Sequence, residues 1–575
     1  MTTNKLQAFG ENAEVKPAFG IDLGTTNSCI SVLKSGKIPT IIPINGVKTT
    51  LPSCVMWKGG DKFIVGEEAY AKKYKSNVAS SVKRIIGTNE KVVLEYGGKK
   101  LELTPEEISA KVLRELADRA SKTYGKVEDV VITVPAYFNN SQIEATRKAG
   151  EIAGLNVLKT FREPTSAALT YLIDDLNKPE VTVLVYDLGG GTFDISLLRI
   201  AKTQDTSKID ELYGFDSDAV EDNSGAITLT VIKTDGDSKL GGDDIDNALL
   251  EIVMTKLKEA GYETKYIPVE QAKEIKHNLE QFKKNSNSII EMPLDFKLND
   301  KVGSHLKHVV RITPEDFYNA TKVVYDKTKV CMDRALNGVA LNTIDAILLV
   351  GGSTKSQLIK SFLAHDFGNV FISDALNPDE SVSLGAAIEA KRVKYGDSNM
   401  CVYDVIPLSV GVYADGIVNK IIAKNQVVPC VASRWFATTV DDQEEISLDF
   451  YQGNSPLKEE CTYIGTLPIT GIPKKKAGEV TILVTMRINA DGVLKCTAKI
   501  GEIVKSIELV NLFTGKDEAK INPSPKGNAK KLTRWRNLAK KLSEDNEKKL
   551  NEMLERYSTD GDNETEIVDF IRSAV

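Results

Sequence analysis

The sequence predicts an α/β protein that passes into an antiparallel all-β unit and ends in a short helical segment. From Ala18 to about Arg392, β-rich runs alternate with helical patterns. Beyond Gly396, apolar residues recur at every second position, and beyond Pro523-Ser524-Pro525 they recur at helical intervals. Alternating strands and helices make an α/β domain; period two makes half-buried strands. The expected organisation is an N-terminal extension (1–17), an α/β domain (18–396), a linker (397–405), a β-rich domain (406–511) and a helical C-terminal segment (512–575).

Strands are expected at Val130–Pro135, Val181–Asp187 and Ala346–Val350. Thr104-Pro105-Glu106-Glu107 is a capping box with proline at the first helical position, and Ile108, Val112, Leu113 and Leu116 follow at helical spacing. Thr313-Pro314-Glu315-Asp316 opens a second helix less completely. In the β-rich part, Ile446, Leu448 and Phe450 alternate, as do Val480, Ile482, Val484, Met486 and Ile488; Asn489-Ala490-Asp491-Gly492 turns the chain into Val493–Ile500. Leu532, Trp535, Leu538 and Leu542 mark the helical tail. Asp205–Gly225, acidic and aperiodic, reads as an exposed insertion loop.

The formal net charge is -6, so no bulk positive field points to nucleic acid or an anionic membrane as partner. Seven cysteines are scattered without a CxxC pair, which argues for a reducing compartment. His305 and His308 stand three apart without further ligands and read as a solvated hairpin. The first 16 residues lack a signal-peptide pattern, and no apolar run is long enough to span a membrane. A cytoplasmic location is the expectation.

Two turns carry chemistry. Phe19-Gly20-Ile21-Asp22-Leu23-Gly24-Thr25-Thr26-Asn27-Ser28 and Val185-Tyr186-Asp187-Leu188-Gly189-Gly190-Gly191-Thr192-Phe193-Asp194 each end an apolar strand on an aspartate and turn tightly on small residues. Glycine lets backbone N–H groups approach phosphate, threonine adds donors, and an aspartate can hold a hydrated Mg²⁺. One such turn is an ordinary glycine hairpin; two in one chain can clamp one nucleotide. A third turn, Gly351-Gly352-Ser353-Thr354-Lys355, follows a buried strand and can pack against a nucleoside. No GxxxxGK[ST] P-loop is present.

With these motifs in order, the chain resembles the seventy-kilodalton heat-shock chaperone family from about Ala18 to Leu509. FGIDLGTTNS, KRIIG, VITVPAYFN, EPTSAAL, VYDLGGGTFDIS, LGGDDID, ILLVGGSTK and NPDESVSLGAA occur collinearly, and IPLSVGV, IAKN and INADG extend the match. The resemblance implies an actin-like two-lobed ATPase domain followed by a β-sandwich peptide-binding domain. It implies ATP or ADP with Mg²⁺ and K⁺ as cofactors. Lys83, Glu163, Asp187 and Thr192 would be catalytic, and Asp22, Asp187 and Asp194 would surround the metal ions. Gly24, Thr25, Thr26, Asn27, Gly189, Gly190, Gly191, Thr192, Gly241, Lys276, Gly351, Gly352, Ser353 and Lys355 would bind nucleotide. Pro135, Asp379 and Val402 would couple nucleotide state to the linker, and Val412, Phe436, Ile446 and Leu448 would line a slot for an apolar peptide side chain. Implied partners are unfolded or nascent polypeptides, a J-domain cochaperone and a nucleotide-exchange factor.

The sequence departs from the family at several places. Lys273 and Glu280 stand where the family has a glutamate and a serine around the adenosine, and Lys355 replaces a base-stacking arginine. Arg162 replaces an asparagine at a J-domain contact, and Ile143 a switch arginine. Thr439 stands at the peptide arch, and the loop at Ala414-Asp415-Gly416 is short. The tail matches the family's helical lid poorly, which predicts fast peptide release. A second reading is a weakly or non-hydrolysing ATP-binding partner of another chaperone or the ribosome. A sugar kinase or a filament-forming actin relative would share the phosphate turns, but the linker and β-domain disfavour both.

Overall fold

Two six-stranded sheets built to one plan organise the first part of the chain in the computed structural model. The structure describes residues 17–34, 38–171, 180–202, 227–283, 288–373, 377–396, 400–488 and 492–511, with 546, 548–550 and 553. The expected loop at 205–225, the 489–491 turn and the apolar positions 532–542 lie outside these residues.

In the first sheet Ala18–Asp22 pairs antiparallel with Asn27–Leu33 and parallel with Asp129–Val134, which pairs in turn with Asn156–Arg162. In the second, Glu180–Leu188 pairs antiparallel with Phe193–Lys202 and parallel with Ala346–Val350, which pairs with Phe371–Ser373. Each central hairpin thus carries one of the two small-residue turns at its tip. The central strands are apolar along nearly their whole length because helices cover them. Each sheet has its own core, so this part of the chain has two lobes.

The lobes meet through two helices, Glu163–Tyr171 and Ser381–Tyr395. A Cβ on Gly385 would lie 1.9 Å from the Ser166 carbonyl oxygen, and one on Gly20 2.2 Å from the Ala387 nitrogen. The Ser166 hydroxyl donates to the Val382 carbonyl at 2.6 Å, and the Thr170 hydroxyl to the Ser381 carbonyl at 2.7 Å.

Both expected capping boxes are present, on Pro105–Tyr124 and Pro314–Leu336. The second is complete: the Asp316 N–H donates to Thr313 Oγ1 at 3.3 Å, and the Thr313 N–H to Asp316 Oδ2 at 2.7 Å. Aspartate, although shorter than glutamate, reaches the N-cap.

The chain divides at Tyr403–Asp404 into two compact units. Met400–Tyr403, expected as a linker, is a strand lying parallel to Ile227–Thr230 at the edge of the second sheet, with Val402 opposite Leu229. The unit beginning at Asp404 holds two four-stranded antiparallel sheets around a shared core. Ile482, Val484, Met486 and Ile488 point inward, as alternation requires. Val410–Ala414 and Ile417–Ile422 are joined by Asp415 and Gly416, with φ of 55° and 86°. Two positive φ values define the tight hairpin turn that glycine makes accessible.

Candidate functional site: a phosphate-clamp cleft

The two small-residue turns face each other. A Cβ on Gly190 would lie 1.8 Å from Thr26 Oγ1, and one on Gly191 2.5 Å from Thr25 Cγ2. Neither position has room for a Cβ unless the facing threonine side chain moves. Gly24 is required within its own turn, where a Cβ would lie 2.0 Å from the Asn27 carbonyl oxygen. Ser53 Oγ donates to the Gly24 carbonyl at 2.8 Å, and the Gly24 N–H to Ser28 Oγ at 3.1 Å. The second turn is held by the start of the helix Gly242–Glu259: the N–H groups of Gly242 and Asp243 donate to the carbonyls of Gly189 and Gly190 at 2.9 and 2.7 Å.

The turns open on a cavity of about 900 Å³, enough for a nucleotide. Its wall includes Asp22, Gly24, Thr25, Thr26, Asn27, Lys83, Glu163, Asp187, Gly189, Gly190 and Thr192. The third turn contributes Gly351, Gly352, Ser353 and Lys355; Ser353 Oγ donates to the Gly189 carbonyl at 3.0 Å. Asp379, expected at the hinge, is also on the wall and forms an ion pair with Lys355.

At the floor, Lys83 Nζ and Glu163 Oε1 are 2.6 Å apart, with both side chains buried. Burial disfavours the Lys83 charge, but Glu163, Asp22 and Asp187 outweigh it and hold the ammonium protonated. Asp22 is pushed up to about 7, first by burial and then by Glu163. Burial and Glu163 also push Asp187 well above the usual carboxylate range. Asp194 is pushed up to about 7 by burial and then Glu163, against the Tyr137 N–H that donates to it at 2.9 Å. The site therefore holds more buried acid than base.

Not every expected site residue reaches the wall. Gly191 and Gly241 pack against each other behind the second turn. Asp194 lies buried beyond the wall. Lys276 is not among the wall residues, and its Nζ donates to Asn247 Oδ1 at 2.6 Å on the surface. Glu280 and Lys283 line the cavity instead. Lys283 follows Lys276 by seven residues, about 10 Å along a helix, so the helix meets the cleft only near its C-terminal end. Glu280 is paired with Lys73 and accepts from the Tyr70 hydroxyl at 2.8 Å. The heptad spacing of the two lysines was the available signal for Lys283.

Arg162 is buried, and its Nη1 donates to the carbonyls of Pro135 and Ala136 at 3.1 and 2.7 Å. Ile143 is buried with Ile86, Val134 and Phe138. In the second unit, Val412 and Leu448 are buried between the sheets, while Phe436 and Ile446 are half-buried against that core.

A family model described as Hsp70 protein matches residues 18–208 and 213–571. The chain belongs to the Hsp70 family of chaperones. It is 35% identical over 497 residues to the chaperone protein DnaK of Mycoplasmoides gallisepticum (strain R(low / passage 15 / clone 2)), covering 84% of this chain and 78% of that protein. It is 35% identical over 489 residues to the chaperone protein DnaK of Mycoplasma mobile (strain ATCC 43663 / 163K / NCTC 11711), covering 83% and 75%. The family match runs to residue 571, beyond the expected end at Leu509, and its break at 209–212 falls inside the 205–225 segment.

Proposed function

We propose that this chain is an ATP-hydrolysing chaperone whose nucleotide state controls the affinity of the β-unit for extended apolar segments of unfolded or nascent polypeptides. The observation that carries the reading is the abutment of the two phosphate turns over the buried Lys83–Glu163 pair. The backbone of the two turns, which Gly24, Gly189 and Gly190 let approach closely, and the hydroxyls of Thr25, Thr26 and Thr192 bind the phosphates. Lys83 places the attacking water and the γ-phosphate, and Glu163 orients Lys83. Glu280, Lys283, Ser353 and Lys355 form the nucleoside end.

Among the described residues no three metal-binding side chains lie close enough to grip an ion directly. A hydrated Mg²⁺ fits that arrangement, because it keeps several waters. Asp22 and Asp187 would hold it, with Asp194 behind them and a K⁺ alongside, in a pocket whose acid excess calls for cations. When bound, the ion neutralises phosphate charge.

The strand Met400–Tyr403 is the element through which nucleotide state would reach the β-unit, with Pro135, Asp379 and Val402 around the coupling path. There Val412, Phe436, Ile446 and Leu448 would form the slot for one aliphatic side chain, with backbone hydrogen bonds holding the peptide. A J-domain cochaperone and a nucleotide-exchange factor are the proposed partners, and the cytoplasm the proposed location. The test is single-turnover ATP hydrolysis by the purified chain, with and without an extended aliphatic peptide. Slow turnover that the peptide accelerates is expected; turnover indifferent to peptide would sink the coupling.

The raised carboxyls give a pH signature. A carboxyl whose folded value exceeds its unfolded value near 3.8 stabilises the fold most when protonated. That contribution is complete below about pH 4 and is lost as pH rises through about 7. The apo protein should therefore melt at progressively lower temperature between about pH 5 and 8, and Mg·ADP should suppress the trend. A melting temperature flat with pH, or a steeper fall with Mg·ADP, would count against the acid cluster as the cation site.

A further inference from the structure

The nucleoside end of the cleft carries a carboxylate that phosphate binding does not explain. Glu280 stands in the last turn of the helix Val269–Phe282 and lines the cavity with a side chain only 13% exposed. Different donors hold its two oxygens. The Tyr70 hydroxyl donates to Oε1 at 2.8 Å, and Lys73 Nζ pairs with Oε2. Gln281 Nε2 donates to the Tyr70 hydroxyl at 2.6 Å, which leaves that hydroxyl's proton for Glu280. Burial works against the Glu280 charge, but Lys73, the Tyr70 hydroxyl and Lys283 outweigh it and hold the carboxyl below the usual range.

An ionised carboxylate only accepts, at about four lone-pair sites over its two oxygens. Tyr70 and Lys73 each take a site on a different oxygen. Each oxygen thus keeps a further site, and the group lines the cavity, so a ligand edge with neighbouring N–H donors matches it. Lys283 lies on the same wall. Its Nζ donates to the Gly242 carbonyl at 3.1 Å and stands 2.7 Å from Asp246 Oδ1, which leaves its third N–H for a carbonyl oxygen in the cleft. Tyr70 is also on the wall, and an aromatic ring is a platform on which a base stacks. The base that offers neighbouring donors and a carbonyl along one edge is guanine, with N2–H₂, N1–H and O6. Adenine offers N6–H₂ beside the N1 lone pair, which a carboxylate opposes.

We propose that Glu280 reads the base in this cleft, and that the chain takes guanine nucleotides at least as well as adenine nucleotides, with N1–H and N2–H₂ donating to Glu280 and O6 accepting from Lys283. This deepens the ATPase reading of the cleft and rests on it. Glu280 is a specificity-determining residue. The phosphate turns and Lys83 act on the phosphates whatever the base, so the choice of base is made at the far end of the cavity.

The test measures binding of GDP, ADP and inosine diphosphate to the full chain with Mg²⁺, by displacement of a fluorescent nucleotide. GDP should bind at least as tightly as ADP. Inosine diphosphate keeps N1–H and O6 but lacks the 2-amino group; it should bind about tenfold more weakly than GDP, the scale of one hydrogen bond to a charged group. Glutamine both donates and accepts, so Glu280→Gln suits the adenine edge and opposes the guanine edge. In that variant the preference should move from GDP toward ADP by about tenfold or more. GDP binding about tenfold weaker than ADP binding in the wild-type chain, or inosine diphosphate binding as tightly as GDP, overturns the proposal and leaves the ATPase reading standing. Equal weakening of all the nucleotides in Glu280→Gln places the carboxylate on the ribose hydroxyls and also overturns it. The wild-type series needs no variant, so it decides the matter even where Glu280→Gln fails to fold. A wild-type chain that binds none of these nucleotides overturns the reading of the cleft, and the base assignment with it.

Discussion

Single-turnover ATP hydrolysis should fall by about 10²–10³-fold in Lys83→Ala, the loss seen when one preorganised charged or polar donor is removed from a reaction site. That corresponds to about 3–4 kcal/mol of transition-state stabilisation. Lys83 is the buried cation facing three acids, Glu163, Asp22 and Asp187, and these keep it protonated against the cost of burial. Alanine removes the charge and leaves Glu163 buried without its partner. ATP binding should survive better than turnover, because the backbone of the two turns does not depend on the lysine. Glu163→Gln offers the complementary comparison: the amide oxygen still accepts from Lys83 Nζ, so its loss should be smaller. Rates measured with ATP saturating would decide the matter; turnover within about threefold of wild type in Lys83→Ala would remove it from the reaction.

The sequence made legible those features that one segment determines by itself. Thr104 with Glu107 announced a helix start, apolar alternation in 482–488 announced a strand, and the aspartate–glycine–threonine pattern announced the two turns that line the cavity. Each is a local pattern, readable from spacing alone. That Lys283 rather than Lys276 lines the cleft was not legible, because the spacing of a helix does not tell which of its turns meets the cleft; the axis angle does, and tertiary packing sets that angle. The burial of Arg162 was not legible, because the three carbonyls that receive its guanidinium, of Pro135, Ala136 and Phe138, lie 24 to 27 positions earlier in the chain. The contacts of Glu280 with Tyr70 and Lys73 join residues 210 and 207 positions apart, so no window of sequence contains both partners. Family resemblance supplied Lys83 and Glu163; their residue types alone give no reason to prefer them to other lysines and glutamates.

The junction of the lobes gives the second large effect, this time on stability. Gly385→Ala should destabilise the first unit by about 2–3 kcal/mol, even though alanine favours a helix interior over glycine by about 1 kcal/mol. The new methyl would lie 1.9 Å from the Ser166 carbonyl oxygen, 2.5 Å from its carbonyl carbon and 2.7 Å from its hydroxyl. The first two are backbone atoms, so no rotamer change relieves the clash. The helices must part, which strains the hydrogen bonds from Ser166 to Val382 and from Thr170 to Ser381, each worth about 1 kcal/mol. Gly338→Ala is the contrasting substitution. Its φ is 78° and nothing lies within 4 Å of the added Cβ, so it pays backbone strain alone, about 1–2 kcal/mol. Parting the helices also moves Glu163, the first residue of Glu163–Tyr171, away from Lys83. Gly385→Ala should therefore lose hydrolysis at temperatures where it is still folded, and Gly338→Ala should not. Denaturant melts and single-turnover rates on both variants test the argument. A Gly385→Ala protein as stable as wild type would mean that helix propensity outweighs the close approach, and that the junction tolerates a wider spacing than these contacts allow.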